Sequence, residues 1–406
     1  MHLLLIHQAF VGPDEPGGTR HFEFGRYLVK KGHRISVVTS KTSYLTGKRI
    51  SNSEGFLHRQ RIQGLEICRI ATAAGLHKNF ITRIISFFSF TITAVIASLS
   101  VKNIDVVMGT SPPIFQALSA WFIAEIRKKP FLLEIRDLWP EFAVDMGVLK
   151  NPILIQLSRS LERFLYNRAD HLLVNSPAYQ DYLIDRGIRE SRISFISNGV
   201  DPEMFTSDKH VSHMRKTLDL NNKFIVTYTG ALGPANDIYT ILRAAKIINN
   251  NQDITFLLIG DGKERKNLEN YVHRNKLSNV MFTSTKPKNK IREYLLASDV
   301  CIATLMNIPM FITTYPNKVF DYMAAGKPTI LGIDGVIRDV IEQSKGGIFV
   351  SPGDQEAITE AVLHLYNDRD LAKEMGENAR EYVKKYFNRT DQAKQFCILV
   401  EGMHNL

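Results

Sequence analysis

The strongest constraint on this chain is a regular alternation of short apolar runs with helix-length segments. The runs are LLLIH, ISVVT, DVVMGT, FLLEI and HLLVN in the first half, and FIVTYTG, ITFLLIG, NVMFT, DVCIA, PTILGI and GGIFV in the second. Strands that alternate with helices form parallel sheets, and the helices cover both faces of each sheet. The pattern therefore predicts an α/β protein with two doubly wound, Rossmann-like domains.

The boundary between the two domains is predicted at the segment ISNGVDPEMF. Gly199 and Pro202 interrupt the pattern there, before the strand FIVTYTG begins. A chain of 406 residues also has the length of two ordinary domains. We expect a first domain over 1–198, a second over 199–385, and a terminal helix over 386–406 that returns to the first domain.

The net charge of +10 is concentrated near the N-terminus. The first hundred residues hold 13 Lys and Arg but 5 Asp and Glu, so they carry +8 of the total. A basic surface suits nucleic acid, an anionic membrane or a phosphorylated substrate, and charge alone leaves these open, as it does an incidental basic surface. The sequence holds no nucleic-acid-binding motif, which disfavours that class.

An uncharged stretch, IISFFSFTITAVIASLSV, lies between Arg83 and Lys102. It is marginally long for a transmembrane helix and rich in Ser and Thr, and Lys78 adds a further flanking cation. The composition favours a helix that is buried or lies at a membrane surface over one that spans the membrane. The N-terminus has neither a basic region nor a small-residue cleavage site, so no signal peptide is predicted.

Neither the cysteines nor an acidic pair predicts a metal site. Cys68, Cys301 and Cys397 are widely separated, which argues against a zinc motif or a disulfide framework and is typical of a reducing compartment. Asp368 and Asp370 form a DxD pattern, but it precedes a helix with no strand before it. Capping of that helix explains the pattern better than metal binding.

A glycine-rich loop, VGPDEPGGTR, follows the first strand. Gly17 and Gly18 let the backbone turn sharply, and the helix that follows offers free N–H groups to a phosphate. Arg20 adds a cation. The loop is predicted to bind phosphate, with an ordinary strand–helix turn as the alternative. No GxGxxG motif follows a strand, which disfavours a nicotinamide dehydrogenase.

Charged residues cluster where the strand FLLEI ends. They are Glu134, Arg136, Asp137 and Glu141 in the segment EIRDLWPE. Sites in parallel sheets form at the carboxyl ends of strands, and unpaired charges beside an apolar strand are costly. We predict catalytic roles for Arg136 and Asp137, with Trp139 and Glu141 beside the substrate. The alternative is an ion network that braces the loop.

Two glycine-rich turns follow successive strands of the predicted second domain. The candidate donor-binding residues in these turns are Gly230, Gly233, Gly260, Gly262, Lys263 and Arg265. One such turn is weak evidence, but two in adjacent βα units favour a platform for a nucleotide or pyrophosphate.

The segment TTYPNKVFDYMAAGKP carries the most specific signal. Asn317 begins a predicted helix, and Lys318 lies in its first turn, where a cation opposes the helix dipole unless an anion binds nearby. Asp321 lies on the same helical face and can accept hydrogen bonds from ribose hydroxyls. We therefore predict that all three residues bind the donor, with a Lys318–Asp321 surface pair as the alternative.

In their order along the chain, these segments resemble the family 4 retaining glycosyltransferases, which have the GT-B fold. The resemblance rests on GGTRHFEFGRYLVKKGHRISVVT, ISNGVDPEMF, YTG, IGDGKERKNLE and FDYMAAGKP, and it spans nearly the whole chain. TSPPIFQA, EIRDLWPE and YPNKVFDYMAAGKP further resemble the bacterial O-antigen and capsule transferases of the N-acetyl-L-fucosaminyltransferase type.

The resemblance implies two Rossmann-like domains with an interdomain cleft, and retaining transfer from a UDP-sugar to a polyprenyl-diphosphate-linked saccharide. The sugar is expected to be N-acetylated or a deoxy sugar. No metal or other cofactor is implied. The expected location is cytoplasmic, peripheral at the inner face of the cell membrane, with anionic lipid but no nucleic acid as a partner. A UDP-sugar 2-epimerase on the same fold is the alternative.

The chain departs from the family pattern at three places. The first of two family glutamates falls on Thr313, whereas the second matches Asp321. The Gly-Arg and Lys of the family's first loop in the second domain are replaced by Gly230-Ala231 and Asn236-Asp237. This leaves Lys318, Lys263 or Arg265 to meet the phosphate. Arg136 stands where much of the family has histidine.

Overall fold

The computed structural model describes residues 1–43, 47, 49–50, 55–73, 80–206 and 211–405, which form two compact units. The first unit comprises Met1–Gly12, Thr19–Ser197 and Thr390–Leu406, and the second comprises Pro13–Gly18 and Asn198–Arg389. The first glycine loop is therefore part of the second unit. The chain leaves the second unit after Arg389, beyond the expected limit at 385.

The first unit is built on an eight-stranded sheet with the strand order β3-β4-β2-β1-β5-β6-β7-β8. The strands are β1 (His2–Ile6), β2 (Arg34–Ser40), β3 (Leu57–Ile62), β4 (Leu65–Ile70), β5 (Val106–Ser111), β6 (Phe131–Ile135), β7 (His171–Val174) and β8 (Ile193–Phe195). Neighbouring strands are parallel except for β3 and β4. The helices of this unit are α1 (Arg20–Lys30), α2 (Phe80–Leu99), α3 (Ile114–Arg127), α4 (Glu141–Asp145), α5 (Pro152–Arg168) and α6 (Pro177–Ile184).

The second unit is built on a six-stranded parallel sheet with the order β11-β10-β9-β12-β13-β14. The strands are β9 (Phe224–Thr229), β10 (Ile254–Ile259), β11 (Val280–Thr283), β12 (Val300–Thr304), β13 (Thr329–Gly332) and β14 (Gly347–Phe349). The helices are α7 (Val211–Thr217), α8 (Ile238–Ile247), α9 (Arg265–Arg274), α10 (Lys288–Ala297), α11 (Asn317–Ala324), α12 (Val336–Ser344), α13 (Gln355–Asn367) and α14 (Arg369–Tyr386).

Two doubly wound Rossmann-like domains are thus confirmed, and every apolar run that predicted a strand forms one. Three strands were not predicted. The hairpin β3–β4 was missed because LHRQRI is too polar to read as a buried strand. Its turn does carry a signal, since Gln63 and Gly64 both have positive φ, as two-residue hairpin turns require. The third, β8, has only three residues.

The last helix, α15 (Arg389–His404), packs its apolar side on the first unit. Phe396 stacks on Phe24 of α1 with ring centroids 4.8 Å apart, and Ala393, Val400 and Met403 are buried beside it. Burial of these side chains stabilises the terminal helix in the core of the sheet's first strands.

The two glycine-rich turns after β9 and β10 pack against each other, backbone on backbone. A Cβ atom at Gly260 would lie 1.8 Å from the carbonyl oxygen of Gly230, and one at Gly262 would lie 2.4 Å from that of Leu232. Leu232 N donates to Asp261 O at 2.9 Å. The second turn therefore needs glycine in order to support the first turn, which explains its composition without a ligand.

The stacked terminal helix leads to a prediction about stability. Phe396→Ala should lower the free energy of unfolding by about 3–5 kcal/mol, because it leaves a cavity beside Phe24. Ile398→Ala, at a residue that is 60% exposed on the same helix, should change it by less than about 0.5 kcal/mol. Urea denaturation measures both, and equal effects would mean that α15 does not pack as described.

The packed turns lead to a second prediction. Gly260→Ala should lower the free energy of unfolding by about 1–3 kcal/mol, because the turns must separate to admit the methyl group. Gly233→Ala is the matched control, since its backbone is extended and nothing lies within 4 Å of the added carbon. A Gly260 variant as stable as the Gly233 variant would contradict the backbone-on-backbone packing.

Candidate active site

A buried carboxylate organises the strand ends of the first unit. Glu134, at the end of β6, is fully buried and accepts hydrogen bonds from Arg20 Nε at 3.0 Å and from His21 Nε2. Burial alone would raise the pKa of Glu134, but His21 and Arg20 hold it well below its usual value. This carboxylate is therefore an ionised, fully partnered part of the core.

The same contacts revise the prediction for Arg20. Its guanidinium also donates to the carbonyl oxygens of Ile196, at 2.7 Å, and Ser197, and the side chain is buried. Three of its nitrogens are thus committed within the first unit. The expectation that Arg20 supplies a cation to a ligand phosphate is wrong, because its charge balances Glu134.

Arg136 is held by a neutral histidine. His7, directly after β1, is buried, and burial together with the nearby Arg136 and His21 holds its pKa well below the ordinary value. Its Nε2 lies 3.3 Å from Arg136 Nη1, which can only donate, so Nδ1 carries the proton and donates to Thr110 Oγ1 at 2.8 Å. Arg136 is therefore oriented without its charge being neutralised.

The Arg136 side chain keeps donor capacity in this position. Its Nε is buried and has no hydrogen-bond partner in the described part of the chain. A buried donor of this kind is costly unless something accepts from it. Arg136 is therefore suited to an anionic or hydroxyl-bearing ligand, which fits its predicted role.

Asp137, the residue after Arg136, is a partly buried acid. Burial raises its pKa to about 6, although the neighbouring Arg136 acts in the opposite direction. A carboxylate that titrates close to neutral pH is suited to accept a proton from a substrate hydroxyl. The environment therefore supports the prediction of a base at this position.

Trp139 and Glu141, expected on the acceptor side of the site, differ from each other in their contacts. Trp139 packs edge-on against Phe115, with ring centroids 6.1 Å apart, and is partly buried. Both carboxylate oxygens of Glu141 accept from Arg159 of α5, at 2.8 and 2.9 Å. Glu141 therefore braces α4 on α5 and does not offer a free carboxylate, whereas Trp139 can still form a wall.

In the second unit, Lys318 reaches the first glycine turn. Its Nζ donates to Tyr228 Oη at 2.8 Å and to Asn236 Oδ1 at 2.9 Å, and it lies 3.1 Å from the place of a Cβ at Gly230. Its partners are uncharged, and burial lowers its pKa to about 7. Within the described residues, this ammonium lacks a carboxylate to balance it, as an anion-binding group would.

The helix that carries Lys318 is fixed to the same turn. Tyr322 of α11 is fully buried, and its hydroxyl accepts from Thr229 N at 2.8 Å. Asn317 is exposed at the start of α11, and its Nδ2 lies 3.7 Å from where a Cβ at Gly18 would be. Gly17, which has a φ of 133°, precedes Gly18 in the same loop. The structure thus gathers Gly17, Gly18, Asn317 and Lys318 in the second unit.

The other candidate cations differ from Lys318. Arg265 Nη1 donates to Gly260 O at 2.7 Å and to Thr283 O at 2.9 Å, while its Nε pairs with Glu269. Arg265 therefore ties the second glycine-rich turn to the end of β11, contrary to the prediction that it meets the donor phosphate. Lys263 is exposed on its loop. The geometry favours Lys318 as the phosphate cation.

Asp321 has an ion pair that the sequence did not predict. Its Oδ1 lies 3.4 Å from Lys288 Nζ of α10, and both side chains are mostly buried. The alternative of a Lys318–Asp321 surface pair is therefore wrong. Thr313, at the position of the family's first glutamate, donates its hydroxyl to Met310 O at 2.6 Å.

Two further groups bear on metal binding. Asp368 accepts from Leu371 N at 2.9 Å, which confirms the predicted helix cap. His33, Cys397 and Glu401 place ligand atoms within 4.8 Å of one another. However, His33 and Glu401 hydrogen-bond each other at 2.8 Å, and burial raises the pKa of Cys397 to about 11, so the thiol stays protonated.

Comparison with known proteins divides the chain close to the boundary between the two units. The family model for Glycosyltransferase Family 4 matches residues 17–204, and the model for Glycosyl transferases group 1 matches residues 212–382. The chain is 25% identical to the uncharacterized glycosyltransferase MJ1178 of Methanocaldococcus jannaschii over 60% of this chain and 62% of that protein. The match therefore spans less than two-thirds of that relative.

Two other comparisons extend over more of the chain. The probable glycosyltransferase WbjE of Pseudomonas aeruginosa is 25% identical over 74% of this chain and 75% of its own length. The crystal structure of Anabaena Alr3699/HepE in complex with UDP-glucose has a TM-score of 0.72 at 16% identity, over 99% of this chain and 100% of that one. With the two family models side by side on two Rossmann-like units, the chain belongs to the family 4 glycosyltransferases of the GT-B fold.

Proposed function

We propose that this protein transfers a sugar from a UDP-sugar to a polyprenyl-diphosphate-linked saccharide, with retention, in the synthesis of a surface polysaccharide such as O-antigen or capsule. The observation that carries the proposal is Lys318, a partly buried ammonium held against the Gly230 turn by uncharged partners. A bound diphosphate would supply the missing negative charge. The likeness in fold to HepE, whose structure contains UDP-glucose, supports this class of donor.

The donor would bind along α11. The first N–H groups of α11 and the Lys318 ammonium would meet the diphosphate. The Gly17–Gly18 loop beside Asn317 would let its backbone approach the donor closely. Asp321 would accept hydrogen bonds from the ribose while Lys288 holds it in place. No metal is needed in this scheme, because protein groups balance the phosphate charge.

The chemical step would use Asp137 as the base and Lys318 as the cation for the leaving group. The acceptor hydroxyl oxygen bonds to the anomeric carbon while the bond from that carbon to the diphosphate oxygen breaks, and Asp137 receives the hydroxyl proton. Lys318 stabilises the diphosphate that leaves. Attack on the face that the diphosphate leaves retains the configuration, and a phosphate oxygen guides the hydroxyl. Arg136 would orient the acceptor through its free Nε.

The protein would work in the cytoplasm, peripheral at the inner face of the cell membrane, because a polyprenyl-linked acceptor must be reached from the water side. Among the described residues, one helix, over Thr82–Leu99, is long and apolar enough to cross a membrane by length and composition, and 28% of that window is buried. Lys78, one of the predicted flanking cations, lies outside the described residues, and Arg83 is exposed.

The donor class can be tested by calorimetry with UDP-, GDP- and dTDP-sugars. UDP-sugars should bind, with an affinity that is constant below about pH 7 and falls by up to about tenfold per pH unit above it. Above about pH 7 the free Lys318 is mostly neutral, and it must take up a proton from solution to bind the diphosphate. Lys318→Arg keeps the charge and should remove this pH dependence, whereas Lys318→Met should weaken binding throughout.

Lys373→Met, at an exposed residue of α14, is the control and should leave UDP affinity and its pH dependence unchanged. If Lys318→Met binds UDP-sugars as the unaltered protein does, then Lys318 does not meet the donor. Binding of none of the three sugar nucleotides would overturn the proposed function.

The base can be tested with Asp137→Asn, which keeps the size and polarity of the side chain. Turnover should fall by roughly 10²–10⁴, and in the unaltered protein kcat/KM should fall as pH drops below about 6, where Asp137 becomes protonated. Asp185→Asn, at an exposed residue beyond α6, is the control. Near-normal turnover of Asp137→Asn would make this segment structural.

A further inference from the structure

The helix α2 has two unlike faces. One face packs into the first unit through Ser86, Phe90, Ala94, Ala97 and Ser98. The opposite face exposes Ile85, Phe88, Ile92, Ile96 and Leu99, whose spacing of three or four residues forms a single stripe along the helix. Because one face is packed on protein along its length, α2 neither sits in the core nor stands free to cross a bilayer.

The apolar surface continues onto α3. The rings of Phe88 and Phe115 are 4.6 Å apart, and Ser119 Oγ donates to Thr91 O at 3.0 Å, so α3 lies alongside α2. Phe122 and Ile126 are exposed and lie on the same stripe of α3 as Phe115 and Ser119. The apolar face is defined here as Ile85, Phe88, Ile92, Ile96, Leu99, Phe122 and Ile126.

Hydroxyl groups beside the apolar face are satisfied within the helix. Thr91 Oγ1 donates to Phe87 O at 2.9 Å, and Thr93 Oγ1 donates to Ser89 O at 2.8 Å. Hydroxyls that bond to the carbonyl four residues earlier need no water. Removing water from this face is therefore cheaper than the Ser and Thr content of the sequence suggests.

A basic cavity of about 500 Å³ begins where α2 ends. Ser100 and Lys102 line it together with Arg34, Arg59 and Arg61, while Glu66 is the one carboxylate in its lining. Arg59 Nη2 donates to Ser100 Oγ at 2.6 Å, which places the cations at the end of the helix. Arg127 of α3 donates to Leu99 O at 2.7 Å and adds a further positive charge there.

We propose that the apolar face lies in the interfacial layer of an anionic phospholipid membrane, with the cations of the basic cavity against the lipid phosphates. Apolar side chains bordered by cations match acyl chains bordered by phosphates, and apolar patches of this kind are otherwise covered in soluble proteins. The proposal names the surface that contacts the membrane, and it rests on the proposed function, which places the protein there. The helix then lies in the plane of the membrane and does not span it.

Vesicle sedimentation tests the proposal on the full chain without substrate. The protein should pellet with vesicles of phosphatidylcholine containing one-third phosphatidylglycerol, and less with phosphatidylcholine alone or at high salt. The double variant Ile92→Glu, Ile96→Glu should weaken binding at least about tenfold. Arg61→Glu with Lys102→Glu should weaken it by about fivefold or more for each cation, on anionic vesicles only.

Matched controls separate this surface from exposure in general. Ile398 is 60% exposed, against 62% for Ile92, and lies on α15 of the same unit, so Ile398→Glu should bind vesicles normally. Ile247→Glu is the control for an exposed apolar residue of the second unit, and Lys373→Glu is the control for the change of charge. Both variants should bind vesicles normally. A loss of binding in these variants equal to that of the tested ones would overturn the assignment.

Two outcomes would overturn the proposal outright. One is equal pelleting of the unaltered protein and the Ile92, Ile96 variant, or no pelleting of either. The other is a dimer without lipid that the same variant dissociates in analytical ultracentrifugation, which would assign the face to a second copy of the chain. Calorimetry with UDP on the same samples keeps the two questions apart, since donor binding without vesicle binding would leave the proposed function standing.

Discussion

The balance of buried charge is the constraint on which both candidate sites depend. Glu134 is fully buried; Arg20 balances its charge inside the first unit and His21 hydrogen-bonds to it, so this charge serves the fold. Lys318 is held by the neutral oxygens of Tyr228 and Asn236, so its charge remains to be balanced. A burial cost that the protein itself offsets indicates structure, whereas one that a ligand can offset indicates a site.

The same distinction separates cations that look alike in the sequence. Arg20 and Arg265 both follow glycine-rich loops, yet their guanidinium groups are consumed by backbone carbonyls and a carboxylate. Lys318 occupies the first turn of α11, and the neighbouring glycine turn comes within reach of its ammonium. The proposed phosphate cation thus lies on α11, in a chain where the family's first-loop Arg and Lys are replaced, and Asn236 in that loop accepts a hydrogen bond from it.

The environment of the apolar helix α2 depends on its neighbours in the fold and not on its composition alone. The residues of this helix favour a core helix or a surface helix over a membrane span, and they do not decide between the first two. Packing against α3 and the sheet covers one stripe and leaves the other exposed, and Arg34, Arg59 and Arg61 of other segments lie beside the end of the helix. Only the position of the exposed stripe relative to those cations suggests an interfacial helix.

The sequence by itself determined the two doubly wound domains, every described strand except β3, β4 and β8, the approximate position of the domain boundary, and the cap at Asp368. It could do so because apolar periodicity, glycine signals and capping signals are local. It also pointed to Asp137 and Lys318. Only the tertiary structure decided which partners each charge meets: His7 for Arg136, Lys288 for Asp321, Arg159 for Glu141. Those partners come from distant segments, and pairwise electrostatics depends on distance in space, which no local pattern records.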